Sequence, residues 1–200
     1  MGATPLRTLT RVVGALEGSI DISVRWQGEE LERLMDAGHA YLVERAVAAL
    51  AAEGWETRIE LSFNYYGDRG RVDVLAFHAP SRTTIVVEVK SVIVDIQEML
   101  GRLDVKVRLG RQLASSAGWD VPRRVVPALV VGDSRRARRV VAEHQAVLAR
   151  FDLRGRQAAA WLRAPERTAS TGLLWFVSVP SSRSASITRF SRVRSARKGS

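Results

Sequence analysis

The chain contains no cysteine among its 200 residues, so a disulfide framework, a thiolate metal site and a cysteine nucleophile are excluded. Its three histidines are scattered, and they form no cluster with the spacing of a zinc site. No stretch approaches about 18 consecutive apolar residues, the length that a transmembrane helix needs. The N-terminus lacks the apolar segment of a signal peptide, and no Walker A loop occurs. We therefore expect a cytoplasmic protein that neither contacts a membrane nor uses ATP by itself.

Acidic residues are few relative to basic ones, 21 against 31, which gives a net charge of +10. Residues 181–200 contain six basic residues and no acidic one, so much of the excess lies at the C-terminal end. A protein with this balance usually binds nucleic acid, or less often an anionic membrane surface. A basic tail that is only a solvated, disordered end is the alternative interpretation, and both stay open.

Hydrophobic periodicity predicts one α/β domain over residues 26–180, between an N-terminal arm at 1–25 and a disordered tail at 181–200. The predicted elements are helix 30–53, strands 56–63, 71–78 and 84–90, helix 95–116, strand 124–131, helix 134–150 and strand 173–179. Pro127 within the fourth strand predicts an edge position or a bulge, because proline cannot donate a ladder hydrogen bond. We expect a central mixed sheet flanked by helices.

Charged residues stand on two of the apolar strands. Asp73 lies on the second predicted strand, and Glu88 and Lys90 lie on the third, fifteen residues further on. Side chains alternate across a strand, so Glu88 and Lys90 share one face. Burying such ions is costly unless they pair or bind a metal. Two carboxylates beside a lysine predict a site for a hard cation and phosphate chemistry, and a purely structural ion pair with Lys90 is the alternative.

The order helix, three strands, helix, strand, with these charged residues, resembles the PD-(D/E)XK nuclease superfamily, whose core is the restriction-endonuclease-like fold. Asp73 matches the acid of the second strand, and Glu88-Val89-Lys90 matches the (D/E)-x-K of the third. The resemblance covers roughly residues 30–132 and looks like a bacterial, mostly uncharacterised branch. The proline that usually precedes the first acid is absent, and Val72 stands in its place.

This resemblance implies a Mg²⁺ or Mn²⁺ ion held by Asp73, Glu88 and the Val89 backbone carbonyl. Lys90 would orient or deprotonate the attacking water, or stabilise the pentavalent phosphorus. Many members add an acid from the first helix, for which Glu44 is the first candidate and His39 a second. Gln97 would reach the metal-bound water or the DNA backbone from the start of the second helix. A solvated Glu44 paired with a nearby base is an equally open interpretation.

Two groups of basic residues are candidates for contacts with DNA phosphates. Lys106 and Arg108 lie on the second long helix, where an ordinary solvated face is the alternative. Four arginines near a helix N-terminus oppose the helix dipole and hint at a phosphate partner. They are Arg135, Arg136, Arg138 and Arg139. Trp119 is expected to pack at the core edge rather than to stack on bases.

The expected function is that of a metal-dependent DNA endonuclease in repair, recombination or defence, associated with the nucleoid. A non-catalytic DNA-binding or transcription-regulatory module on the same fold is the main alternative, and an RNA-binding protein is a weaker one. The resemblance also allows a homodimer, since many such nucleases cut two strands as dimers. Metal-dependent cleavage separates the first function from the others.

Overall fold

A computed structural model of the chain describes residues 29–179, together with the single positions 8 and 15. The predicted arm and tail, apart from those two positions, lie outside the described residues. Residue contacts separate the compact unit Asp36–Ser200 from the residues before it. All contacts described below lie within this unit.

The described residues form six helices or helical turns and six strands. The first half contains α1 (Glu29–Ala52), β1 (Glu56–Tyr65), β2 (Asp68–His78), β3 (Thr83–Lys90), α2 (Ile96–Arg108) and α3 (Gly110–Ser116). The second half contains β4 (Arg124–Gly132), α4 (Arg135–Glu143), a 3₁₀ turn (Val147–Arg150), β5 (Leu153–Arg154), α5 (Arg156–Arg163) and β6 (Leu173–Val177). No helix in the described part of the chain is long and apolar enough to cross a membrane.

The six strands form one mixed sheet in the order β1-β2-β3-β4-β6-β5. The first three strands are antiparallel neighbours, whereas β3, β4, β6 and β5 run parallel to one another. Parallel strands end at the same edge of a sheet, so the segments after β3, β4 and β6 meet there. The predicted fold class, an α/β domain with a central mixed sheet flanked by helices, is confirmed.

Both faces of the sheet are covered, and the strand alternation divides the core between them. Helices α2, α3 and α4 pack on one face with Val86, Leu129 and Leu174. Helices α1 and α5 pack on the other face, with Val87 and Val89 beneath them. Two-sided burial explains the continuous apolar runs of β3 and β4. It also places Glu88 on the α2 face, in alternation with Val87 and Val89 as predicted.

The turn predicted over 64–70 is much shorter, because β1 and β2 continue toward each other as a hairpin. Only Tyr66 and Gly67 connect the strands, and both have positive φ, 53° and 86°. Two residues with positive φ are what a type I′ hairpin turn requires. The strand pair therefore extends beyond the predicted limits, and its tip presents Tyr66, which is 87% exposed.

The single helix predicted over 95–116 is interrupted at Leu109, which separates α2 from α3. At the interruption the backbone passes close to β4: a Cβ at Gly110 would lie 2.4 Å from Val125 Cγ1. A continuous helix pattern does not reveal such a close approach, since it depends on a strand that follows in the chain. Helix α1 is continuous from Glu29 to Ala52, close to the predicted helix 30–53.

Strand β4 is an interior strand, so the edge position predicted from Pro127 is wrong for the strand as a whole. The proline is nevertheless tolerated, because β6 pairs with β4 only from Ala128 onward. At Pro127 itself only β3 is a neighbour, through Val86. One side of the proline therefore needs no ladder hydrogen bond. Residues 151–170, for which the sequence predicts no element, form β5 and α5.

Candidate active site

The candidate site begins where β2 and β3 separate. Their ladder runs from His78 and Thr83 to its last pair, Val74 and Val87. One step further the same register would place Asp73 opposite Glu88, yet the strands no longer pair there. Instead, Asp73 Oδ2 accepts a hydrogen bond from the Val89 backbone N–H at 2.7 Å. The Asp73 carboxylate thus accepts the hydrogen bond that a backbone carbonyl of β2 would accept if the ladder continued.

Glu88 is the buried centre of the site, with a side chain only 3% exposed. Its two carboxylate oxygens are each held by a different lysine. Lys90 Nζ lies 2.8 Å from Oε1, and Lys106 Nζ, which comes from α2, lies 2.6 Å from Oε2. A buried carboxylate is stable only when paired, and here two ammonium groups provide that pairing.

The two carboxylates have opposite pKa shifts. Burial raises the pKa of Asp73, the negative charge of Glu88 raises it further, and the Val89 hydrogen bond and the charges of Lys106 and His39 only partly offset this. Burial also pushes the pKa of Glu88 upward, but the charges of Lys106 and Lys90 outweigh it and the pKa lies below its ordinary value. Glu88 is therefore the firmly ionised member, and Asp73 the one under electrostatic strain.

A cavity of about 490 Å³ opens onto both carboxylates and both lysines. One wall comes from the β1–β2 hairpin and carries Arg69 and Arg71; the other comes from α2 and carries Arg102. A second cavity of about 300 Å³ shares Lys90 and Arg102 and lies against the segment 92–95. The acidic centre is thus enclosed by a basic rim, an arrangement that attracts an anionic ligand toward a cation site.

The structure brings together the predicted core of the site and one of its two first-helix candidates. His39 on α1 is close enough to Asp73 for its charge to lower the pKa of that carboxyl. Glu44 is exposed and is not among the groups that act on Asp73. Gln97 is also exposed and lines neither cavity. In this structure, then, His39 is closer to the carboxylates than either of the preferred candidates.

The predicted phosphate-binding residues of α2 have different surroundings. Arg108 is exposed, and its guanidinium lies 2.5 Å from the carboxylate of Asp68 on the β1–β2 hairpin. Lys106 does not lie on a solvated face, because its side chain is only 10% exposed and its ammonium lies inside the site. On the exposed side of the same helix, Asp104 pairs with Arg150. The sequence analysis assigned Lys106 to DNA phosphates and missed its position beside Glu88.

The composition of the chain contains a signal that points to Lys106. Only three of the 31 basic residues are lysines, namely Lys90, Lys106 and Lys198, and all others are arginines. Two of these three meet at one carboxylate. Lysine and arginine are not interchangeable where a compact ammonium must fit a small buried space. Because the chain uses arginine almost everywhere else, a lysine on the apolar side of α2 is a candidate site residue.

The arginines at the start of α4 lie near the site but outside it. Helix α4 follows β4, next to β3, and packs on the face that carries Glu88. Arg138 makes two hydrogen bonds with Asp133, at 2.6 and 2.8 Å. Within the described residues, Arg135 and Arg136 are exposed and form no ion pair. Ser134 caps the helix by accepting a hydrogen bond from the Ala137 N–H.

Trp119 packs in the core against Phe77, as predicted.

The donor atoms fit a hard divalent cation with few protein ligands. Among residues 29–179, no group of three or more His, Asp or Glu side chains is arranged to hold a metal. Two carboxylates are nevertheless present, and burial together with the charge of Glu88 raises the pKa of Asp73. The N–H and C=O of a strand residue point to the same side, so the Val89 carbonyl faces the same gap as Asp73. Two carboxylates and a backbone carbonyl are oxygen ligands of the kind that Mg²⁺ and Mn²⁺ prefer.

The chain was also compared with known proteins. No protein-family model matches the chain, and no curated protein is significantly similar to it. The chemistry of the site therefore has to be inferred from its own geometry.

Proposed function

We propose that the protein is a metal-dependent endonuclease that hydrolyses phosphodiester bonds in DNA. The observation that supports this most directly is the convergence of Asp73, Glu88, Lys90 and Lys106 on one cavity. Acids that bind a cation and bases that bind an anion are both needed to hold a metal and a phosphate at once. The order α1, β1 to β3, α2 with α3, and β4 agrees with the helix, three strands, helix and strand expected from the sequence.

The rim of the cavity favours a polyanionic substrate. Arg69 and Arg71 line the cavity from the hairpin, and Arg102 lines it from α2. Arg71 also pairs with Glu60 and Arg102 with Glu98, so a phosphate would compete with these exposed carboxylates for the two arginines. Arginine forks match the geometry of phosphate oxygens.

Arg135 and Arg136 form no ion pair among residues 29–179, and they begin α4 after β4, the neighbour of β3 in the sheet. DNA bound there would place the protein on the nucleoid.

The residues of the chain would divide the work of hydrolysis between them. A bound Mg²⁺ or Mn²⁺ ion, held by Asp73, Glu88 and the Val89 carbonyl, would supply an activated water and offset charge on the scissile phosphate. Glu88 fixes Lys90 at 2.8 Å, which orients its ammonium at the mouth of the cavity. There Lys90 donates hydrogen bonds to the attacking water or to the phosphate oxygens, on which negative charge increases in the transition state.

One observation favours the alternative of a non-catalytic DNA-binding module. Both oxygens of Glu88 are already paired with lysines, so the carboxylate is satisfied without a metal. A regulatory protein on this fold would keep such a neutralised cluster and the basic surface around it. It would bind DNA without cleaving it and would show no requirement for a divalent cation.

The first prediction concerns cleavage. With Mg²⁺ or Mn²⁺, we expect the protein to nick or cut at least one of supercoiled plasmid, branched DNA or single-stranded DNA. Asp73→Ala and Lys90→Ala should each lower the rate at least about a hundredfold, because a cation ligand or a charge-stabilising group is lost. The assay follows the products on gels and includes an RNA strand to test the choice of nucleic acid.

Asp120→Ala is the matched control, since Asp120 is an exposed aspartate in the loop before β4, at the opposite edge of the sheet. It should cleave like the wild type. Cleavage that persists in EDTA, or that survives Asp73→Ala, would refute the metal-dependent mechanism. Binding without cleavage of any substrate would support the regulatory alternative.

A further inference from the structure

Lys106 has a position that a simple phosphate-binding residue does not need. Its side chain is only 10% exposed, and its ammonium lies 2.6 Å from Glu88 Oε2. Its positive charge also acts on Asp73, whose pKa it lowers. Lys106 therefore neutralises Glu88 from inside the site. A cation bound to the same Glu88 oxygen would compete with the ammonium for much the same space.

Lys90 provides an internal comparison, because it pairs with the same carboxylate. Its ammonium lies 2.8 Å from Glu88 Oε1, yet its side chain is 35% exposed and reaches the mouth of the cavity. Lys106 is thus the buried partner of Glu88, and Lys90 is the more exposed one.

We propose that Lys106 occupies the cation position in the metal-free protein and competes with a divalent cation for Glu88. This inference rests on the proposed function in one respect, namely that the two carboxylates are the metal ligands. To bind the cation, Glu88 must release the Lys106 ammonium, which lies on helix α2 and has the cavity beside it. Lys106 therefore weakens cation binding and keeps Glu88 paired when no cation is present.

Competition for one carboxylate has a consequence that can be measured without DNA. Two positive ions a few ångströms apart repel each other strongly in a partly buried site. Removing the Lys106 charge should therefore tighten cation binding by about tenfold or more. Removing the Lys90 charge should tighten it by less than about threefold, because that ammonium is more exposed to screening water.

The experiment is titration calorimetry of the full chain with Mn²⁺ and, separately, with Ca²⁺. It compares the wild type with Lys106→Gln and with the matched control Lys90→Gln. Glutamine keeps a donor for Glu88 and removes the charge. Lys106→Met is a second variant of similar length, and thermal unfolding in EDTA verifies that each protein is folded. Asp73→Asn in the Lys106→Gln background should abolish the gain.

The expected result is a clear affinity gain for Lys106→Gln that exceeds the gain for Lys90→Gln. Equal gains in the two variants, an unchanged affinity, or no cation binding by any folded variant would each overturn the proposal. The outcome is separable from nuclease activity. Tighter binding by Lys106→Gln without any cleavage would support the competition and refute the nuclease, and cleavage with unchanged cation affinity would do the reverse.

Discussion

At the scale of single residues, Asp73 is held in a position that its charge opposes. It lies beside Glu88, accepts one backbone hydrogen bond from Val89, and has a raised pKa because burial and the neighbouring carboxylate disfavour its ionised form. A group whose pKa is raised on folding destabilises the folded state at any pH above that pKa. The carboxylate is therefore maintained at a cost in stability, as is common for functional groups.

Asp73→Asn should consequently stabilise the protein while it removes a proposed metal ligand. The amide keeps an oxygen for the Val89 N–H and carries no charge. We expect the melting temperature at pH 7 in EDTA to rise by about 2–4 °C. The gain should shrink as the pH falls toward about 4, because the carboxyl then becomes protonated in the folded and unfolded states alike.

Asp104→Asn is the control for this effect, since Asp104 is exposed and pairs with Arg150. Its replacement should leave the melting temperature unchanged or slightly lower. A melting temperature at pH 7 that is unchanged or reduced in Asp73→Asn would show that the aspartate is not under electrostatic strain. The lowered pKa of Glu88 has the opposite effect on stability. Its ionised carboxylate stabilises the folded state at neutral pH, and this contribution is lost as the pH falls into the acid range.

At the scale of secondary-structure elements, α2 and α3 contain two glycines with different surroundings. Gly110 faces β4 so closely that a Cβ would lie 2.4 Å from Val125 Cγ1. Gly101 lies within α2 and has nothing within 4 Å of a Cβ. The same substitution should therefore have opposite effects at the two positions.

Gly110→Ala should lower the free energy of unfolding by about 1–3 kcal/mol, because the methyl group overpacks against Val125. Gly101→Ala should raise it by about 0.5–1 kcal/mol, since alanine is the better helix former and the site is open. Urea unfolding of both variants measures this. Adding Val125→Ala should recover part of the loss in Gly110→Ala, and an independent, additive effect would contradict the proposed clash.

Local patterns predicted most elements of this fold, and distant contacts account for the rest. The alternation in β3 placed Glu88 and Lys90 on one face correctly, because that pattern depends only on neighbouring residues. The break at Leu109 and the tolerance of Pro127 depend on strands elsewhere in the chain, so periodicity does not reveal them. Asp73 was found by its place on an apolar strand, whereas Lys106 was missed because its partner lies eighteen residues earlier.

At the scale of the whole molecule, exposed arginines lie at both ends of the parallel strands, and one of these ends carries Lys90 of the candidate site. Lys90 ends β3 at that end, and Arg135 and Arg136 begin the helix after the neighbouring strand. Arg123 and Arg167 are exposed arginines at the opposite end, where β4 begins and the chain approaches β6. If DNA binds across the candidate site, Arg135 and Arg136 can neutralise its phosphates. Arg123 and Arg167 lie too far away, at the other end of the strands.

The double variant Arg135→Gln, Arg136→Gln should weaken DNA binding at low salt. It should also reduce the slope of log K against log salt by up to about 2, or about 0.9 for each lost phosphate contact. Fluorescence anisotropy with a labelled duplex measures both quantities. Arg123→Gln, Arg167→Gln removes the same charge and should change neither. Similar effects from the two pairs would indicate attraction by net charge alone, without a defined binding edge.

The separation of β2 from β3 at Asp73 also determines how stiff the two walls of the cavity are. Beyond that point the hairpin has a hydrogen-bonded neighbour on one side of each strand only, whereas α2 is anchored to the sheet along its buried face. The hairpin is nevertheless held from its buried side, because Phe63 and Val72 lie in the same core cluster as α2, and Arg108 of α2 pairs with Asp68. Both walls of the cavity therefore belong to one packed core, so a ligand has to fit a cavity of nearly constant width.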